Sequence, residues 1–263
     1  MNSILVATDL SAGSERALRR AVVLAAQTSS RVTCLHVIDD RLSAEEVDSR
    51  TRAAEAAIKA QLAGAQDMPV SVRIIPGNHF DAIMAAAQDE SADLVVIGRH
   101  RSVAELDLFR GSTAERVLKS GTRPVLMVKQ AVAAPYQRIL VAVDFSASAR
   151  SAVEFAIRTL AIPKAELTLI HAFHAPPRGG VGIVERLEGQ FAEFLAGLED
   201  VTVRKLTQEG PPVPTLLKAI ESEAPDLVVV GTHGRTGTGP AQIGTVAERV
   251  LSQSAIDVLA VRT

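Results

Sequence analysis

The sequence predicts an α/β protein of two doubly wound domains, each a parallel sheet flanked by helices. Three observations carry that reading: an internal duplication, short all-apolar runs of β type, and Ala-rich segments of helical period between them. Ile4-Leu5-Val6-Ala7-Thr8-Asp9-Leu10-Ser11 matches Ile139-Leu140-Val141-Ala142-Val143-Asp144-Phe145-Ser146, an offset of 135 residues (139 against 4). Asp93-Leu94-Val95-Val96-Ile97-Gly98 recurs as Asp226-Leu227-Val228-Val229-Val230-Gly231, and Ala114-Glu115-Arg116-Val117-Leu118 as Ala247-Glu248-Arg249-Val250-Leu251, both offset by 133 (226 against 93, 247 against 114). Three ordered matches mean two copies of one unit, with a two-residue length change inside one of them. The joint falls near Gln130 to Gln137, where Pro135 interrupts the pattern, so the domains are expected at 1–131 and 136–263.

Each element follows from its local pattern. In the first half, apolar runs predict strands near 3–8, 31–38, 70–75, 93–98 and 124–129, with helices near 13–27, 44–63, 79–89 and 113–120. The second half predicts strands near 138–143, 166–172, 201–206, 226–231 and 257–262. Runs such as Leu94 to Ile97 lack polar alternation, which suits strands covered on both faces. Strand–helix alternation implies right-handed crossovers, and such sheets take ligands outside the carboxyl ends of their strands. The turns after strands one and four are therefore the places for a site.

Composition narrows the function. The 263 residues suit about two domains, and 47% hydrophobic with 22% charged residues describes a folded chain rather than a disordered one. A net charge of −2 lacks the basic excess that grips nucleic acid. Aromatics make up 3%, with no Trp and only Tyr136 as tyrosine, which argues against base-stacking platforms. The single Cys34 excludes an internal disulfide framework and fits a reducing cytoplasm. Neither a secretory leader nor an apolar run of the roughly 20 residues needed to span a bilayer is visible, so the sequence predicts no membrane partner.

After the fourth strand of the second half stands Gly231-Thr232-His233-Gly234, then nine residues, then Gly244-Thr245. Gly231 offers unusual dihedrals for leaving the strand, and Gly234 offers close approach of backbone to a ligand. Gly244-Thr245 opens a helix, with capping-box spacing from Thr245 to Glu248. A helix start supplies free N–H groups and a positive dipole end, the ingredients of a phosphate cradle. A Gly-rich loop followed by an ordinary helix cap accounts for the same residues. Neither a Walker A lysine nor the G-x-G-x-x-G fingerprint is present.

The Asp after strand one, the Leu35-His36-Val37-Ile38-Asp39 strand and G-x2-G-x9-G-[S/T] resemble the universal stress protein family, across nearly the whole chain and twice over. The resemblance implies a five-stranded parallel sheet of order 3-2-1-4-5 in each half, and ATP binding in those members that keep the glycine pattern. Carried over by position, Gly231, Gly234, Gly244 and Thr245, with Val246 beside them, would hold phosphates and ribose. Asp144, the Ala142-Val143 edge and Ala172 would line the adenine and ribose pocket. Asp144 is also placed to assist a phosphate-bound Mg²⁺ or Mn²⁺, although no dedicated metal site is expected. The resemblance further implies pairing through the last strands, so the two halves are expected to form a pseudo-dimer within the chain, with homodimerisation also open.

The first half departs from the pattern. It reads Gly98-Arg99-His100-Arg101, nine residues, then Gly111-Ser112, so Arg101 stands where the middle glycine should be. Either Arg99, Arg101 and Arg110 form a basic rim for phosphates, or this copy is degenerate and kept for packing. Asp9, Val37, Gly98, Gly111 and Ser112 still match the family positions.

Other residues have plainer readings. His36 and His171 share one repeat position and are expected as core or edge histidines. Cys34, two residues before His36, is expected as a buried thiol. Segment 171–182, with Pro176-Pro177 and Gly179-Gly180, reads as a loop covering the site. The segment near 44–63 reads as a solvated helix. Three functions remain: a regulatory, ATP-binding stress-response protein with its site in the second half, a nucleotide-independent interaction scaffold, or a weak ATPase or phosphotransferase. The last lacks a visible general base.

Overall fold

The computed structural model describes residues 1–63, 69–99, 113–131, 134–160, 165–174, 182–198, 202–233 and 243–262. The chain divides into two compact units, Met1–Pro135 and Tyr136–Thr263.

The first unit runs β1 (Ser3–Thr8), α1 (Ala12–Thr28), β2 (Arg31–Ile38), α2 (Ala44–Leu62), β3 (Val70–Pro76), α3 (His79–Asp89), β4 (Leu94–Gly98), α4 (Thr113–Ser120) and β5 (Val125–Val128). All its strand pairs are parallel, β2 with β3, β1 with β2, β1 with β4 and β4 with β5, giving the order β3-β2-β1-β4-β5. The second unit runs β6 (Arg138–Ala142), α5 (Ala147–Phe155), β7 (Glu166–Phe173), α6 (Ile183–Leu195), β8 (Val203–Glu209), α7 (Pro212–Glu223), β9 (Leu227–Gly231), α8 (Thr245–Gln253) and β10 (Asp257–Val261). A single π turn, Ala156–Leu160, extends α5. Its parallel pairs give β8-β7-β6-β9-β10, the same order by position. Two five-stranded doubly wound sheets are thus the fold that the duplication predicts.

The apolar runs are buried for the reason that the sequence suggests. Ile4, Leu5 and Val6 of β1 have no exposed surface, nor have Leu227, Val228 and Val229 of β9. Helices cover both faces of the inner strands, so each consecutive residue is an interior one. Side-chain burial of this kind contributes roughly 1.5–3 kcal/mol per large aliphatic residue. The outer strands differ. In β8, Arg204 and Lys205 are exposed, and the strand begins two residues later than the apolar pattern places it. A half-solvated strand with charged residues gives a weak apolar signal.

The recurring Asp before the fourth strand has a structural use. Asp93 Oδ2 accepts from the N–H groups of Asn2 and Ser3, at 2.5 and 3.1 Å. Asp226 does the same for Gln137 and Arg138, at 2.6 and 3.1 Å. In each unit this carboxylate ties the start of the first strand to the fourth. The helix near 44–63 is solvated, since α2 buries only Ala54 and Ile58, and it opens with a Ser43–Glu46 capping box. In the second unit, a buried Tyr136 donates its hydroxyl to the fully buried Asp257 at 2.7 Å.

Candidate functional site

The carboxyl ends of the sheets carry the candidate residues, and the turn after strand one is the same in both units. Asp144 Oδ1 accepts from the N–H of Ser146 at 3.0 Å, and Asp9 Oδ1 from that of Ser11 at 3.0 Å. Between them Phe145 and Leu10 take left-handed conformations, φ 61° and 65°. A non-glycine residue costs about 1–2 kcal/mol there, so each Asp side chain helps to hold a strained turn. Ser146 and Ser11 then cap α5 and α1 through the N–H groups of Ala149 and Ser14. Sequence reasoning singled out the two Asp residues but missed the strain. The repeated Asp-[Leu/Phe]-Ser was the available signal.

The repeated histidines brace the same turn. His171 Nδ1 donates to the Val143 carbonyl at 2.7 Å, and His36 Nδ1 donates to that of Thr8 at 2.9 Å. They are edge histidines of the second strand, hydrogen-bonded to the end of the first. Cys34 is buried, and burial pushes its thiol up to about 12.

The glycines that open the two loops have a packing role. A Cβ on Gly98 would lie 2.4 Å from Gly13 C and O, and one on Gly231 would lie 2.7 Å from Ser148 Oγ and 2.8 Å from Ser148 C. The expected unusual dihedral is not used: among the described residues the positive-φ glycines are Gly77, Gly182, Gly197 and Gly210. Gly98 and Gly231 instead let the first turn of α1 or α5 sit directly on the strand end.

In the second unit the start of α8 is brought to that same edge. The Gly244 N–H donates to the Thr232 carbonyl at 2.6 Å, and the Thr232 N–H to that of Val261 at 2.9 Å. Gly244, at φ −64° and ψ 146°, is itself the N-cap, and no side chain caps the helix. The capping box expected from Thr245 is therefore not formed. Thr245 is the first helical residue and is exposed, with Val246 half-buried behind it. His233 closes the ring: its N–H donates to Ser148 Oγ at 3.4 Å, and its carbonyl accepts from Ser146 Oγ at 3.5 Å.

Ala142 pairs with Ile170, so Ala172 stands beyond the end of β6 on its longer neighbour β7. Val143 is buried, whereas Ala142, Asp144 and Ala172 are half-buried. The structure thus gathers Asp144, Gly231, Gly244 and Thr245 on the elements that end or begin at one edge. Gly234 lies outside the described residues, as do Arg101, Arg110, Gly111 and Ser112 of the first copy. Asp9, Val37 and Gly98 occupy the corresponding edge of the first unit. Within the predicted covering loop, His171 to Phe173 belong to β7, and 175–181 lie outside the described residues. Among the described residues no cluster of three or more His, Cys, Asp or Glu side chains could hold a metal ion. No helix among them is long and apolar enough to cross a membrane.

Two copies of a doubly wound α/β unit, each with a glycine at the carboxyl end of its fourth strand, define a tandem α/β protein. The model of the universal stress protein family matches residues 1–129 and again 135–262, so the chain belongs to that family as a two-domain member. A universal stress protein of Mycolicibacterium smegmatis is 27% identical over 98% of this chain and 96% of its own length. A putative universal stress protein of Pseudomonas aeruginosa has a crystal structure of TM-score 0.72, 25% identical, covering 100% of this chain and 93% of that one. The structure of a universal stress protein from Archaeoglobus fulgidus, 21% identical, covers 99% and 98% at a TM-score of 0.79 and shares the fold.

Proposed function

We propose that this universal stress protein binds ATP at the carboxyl edge of its second unit and acts as a regulatory rather than a catalytic protein. The observation that carries the reading is the juxtaposition of the glycine-led, uncapped start of α8 with the end of β9, fixed by the 2.6 Å Gly244–Thr232 bond. Free N–H groups at a helix start, with no Cβ on the cap residue, suit a phosphate. Ala142, Val143, Asp144 and Ala172 would flank the adenine and ribose, while Gly231, Gly234, Gly244, Thr245 and Val246 would frame the phosphates. A Mg²⁺ or Mn²⁺ ion would arrive with the phosphates, next to the Asp144 carboxylate. The first unit, with Arg99 and Arg101 in its loop, is read as the degenerate copy.

The stress-response role rests on family membership. The duplication supports pairing of the two halves as a pseudo-dimer, and the lone buried thiol of Cys34 supports a cytoplasmic setting. The test is to purify the protein, denature it and identify the released nucleotide, then titrate ATP into wild type and Gly234→Arg. Adenine nucleotide with wild type and none with the variant is the expected result. Absence of binding at millimolar ATP would instead favour the scaffold reading.

A further inference from the structure

The outer strands of the two units differ at their free edges. β3 pairs with β2 in parallel from Val70 to Pro76, and just beyond it the Gly77 N–H donates to the Ile38 carbonyl at 2.9 Å. Alternation along a parallel ladder then turns the N–H and C=O groups of Ser71, Arg73 and Ile75 toward β2. Those of Val70, Val72 and Ile74 turn away from it. Among the described residues no second strand pairs with β3. Pro76 has no N–H, so the free ladder ends at Ile74. Val72 on this edge is 42% exposed, and Val184 is the other exposed large hydrophobic residue among those described. An unpaired apolar edge is a template for another strand, and charged residues normally blunt it. β8 carries that protection. Gly210 donates to the Phe173 carbonyl as Gly77 does to Ile38, which sets Lys205 and Thr207 where β3 has Val72 and Ile74 (205 against 72, 207 against 74).

Between this edge and α2 lies an open groove of about 640 Å³, lined by Glu55, Lys59 and Leu62 of α2 and by Val72 and Ile74 of β3. Glu55 and Lys59 stand one turn apart, both exposed, and neither has an ion-pair partner among the described residues. We propose that this face docks a second copy of the chain, β3 against β3 in antiparallel, about a twofold axis through Val72. In that register Val72 meets Val72 and Val70 meets Ile74 across the axis, and each of these pairs exchanges two backbone hydrogen bonds. An axis through Arg73 would instead set two arginines opposite each other, which is unfavourable. Strands lie about 4.8 Å apart, and α2 packs on both β2 and β3. The two α2 helices would therefore run about 10 Å apart, an ordinary packing distance that fills the groove. A twofold axis reverses the order of residues along a helix, so Glu55 of each copy meets Lys59 of the other. The patch is complementary to itself, which selects a second copy over an unrelated extended segment. This face is distinct from the last strands, through which the family resemblance implies pairing.

The test is sedimentation velocity of the full chain over a rising concentration series, with circular dichroism to confirm folding. The proteins are wild type, Val72→Lys, Glu55→Lys and the charge swap Glu55→Lys/Lys59→Glu. Wild type should dimerise in the micromolar range. Val72→Lys places the β8 residue at the axis, where two ammonium groups face each other, and should weaken the dimer about tenfold or more. Glu55→Lys sets like charges across the axis and should weaken it about fivefold, less so at high salt. The charge swap restores unlike pairs and should return the dimer to within about twofold of wild type. A purely structural role for Glu55 and Lys59 would not produce that recovery. If Val72→Lys fails to fold, the charge series decides alone. Wild type that remains a single chain throughout would overturn the proposal, including wild type that binds only an added extended peptide. A dimer undiminished in Val72→Lys would overturn it too, because the chains would then pair elsewhere. So would a charge swap as weak as Glu55→Lys alone.

Discussion

In the first unit the left-handed residue after strand one is Leu10, whose carbonyl accepts from Gln61 Nε2 at the end of α2, at 3.2 Å. In the second it is Phe145, whose ring lies 4.5 Å from that of His171, 5.1 Å from Phe191 and 5.5 Å from Phe194. Arg150 holds α6 down over this cluster by donating to the carbonyls of Phe194 and Ala196. The backbone of the two turns is the same: an Asp-held strain, a serine cap, a histidine brace and a glycine under the helix start. What differs is the side chains around it. The shared features belong to the repeated fold, and the differing ones belong to the packing of each unit.

The largest effect that would test this contrast is on stability. Phe145→Gly relieves the strained φ but empties an aromatic cluster, and should destabilise by about 3 kcal/mol. Leu10→Gly relieves the same strain at a half-exposed, hydrogen-bonded carbonyl, and should stay within about 1 kcal/mol of wild type. Urea unfolding followed by circular dichroism separates the two, and equal losses would break the contrast. Gly231→Ala and Gly98→Ala should each cost about 2 kcal/mol, because the added methyl meets helix backbone in both units. A marked difference between them would mean that the two helix starts are seated differently.

Smaller effects sharpen the asymmetry. Tyr136→Phe leaves the buried Asp257 without its 2.7 Å donor and should cost about 1–2 kcal/mol. The first-unit position that matches Asp257 is Pro124 (257 against 124, offset 133), which has no carboxylate to pair. The smallest effect concerns Cys34. Its folded-state thiol is pushed up to about 12 from 9.0 by burial, so the folded chain keeps a proton that the unfolded chain gives up. This contribution to stability is fully present below pH 9 and is lost as pH rises toward 12. Urea midpoints of wild type and Cys34→Val should therefore diverge above pH 9. Native wild type should also resist alkylation at pH 8, where the thiol is not ionised.

Much of this was legible in the sequence because the signals were local or repeated. Apolar runs such as Leu94 to Ile97 mark strands buried on both faces, and a strict duplication doubles each observation. The placement of β8 was less legible, since Arg204, Lys205 and Gln208 on a half-exposed strand weaken the apolar pattern. The roles of individual glycines were not legible. Gly231 reads as a conformational hinge, yet its neighbour is Ser148, 83 residues earlier (231 against 148), a contact that only the tertiary fold creates. The shift of the α8 cap from Thr245 to Gly244 is likewise a one-residue matter of backbone angle.

The central claim is that one of the two copies binds nucleotide. Isothermal titration of ATP into wild type, Gly234→Arg and Arg101→Gly tests it most directly. The account predicts one ATP per chain for wild type and none for Gly234→Arg, with the wild-type site undisturbed in Arg101→Gly. Two equivalent sites per wild-type chain, or ATP binding that survives Gly234→Arg, would contradict it.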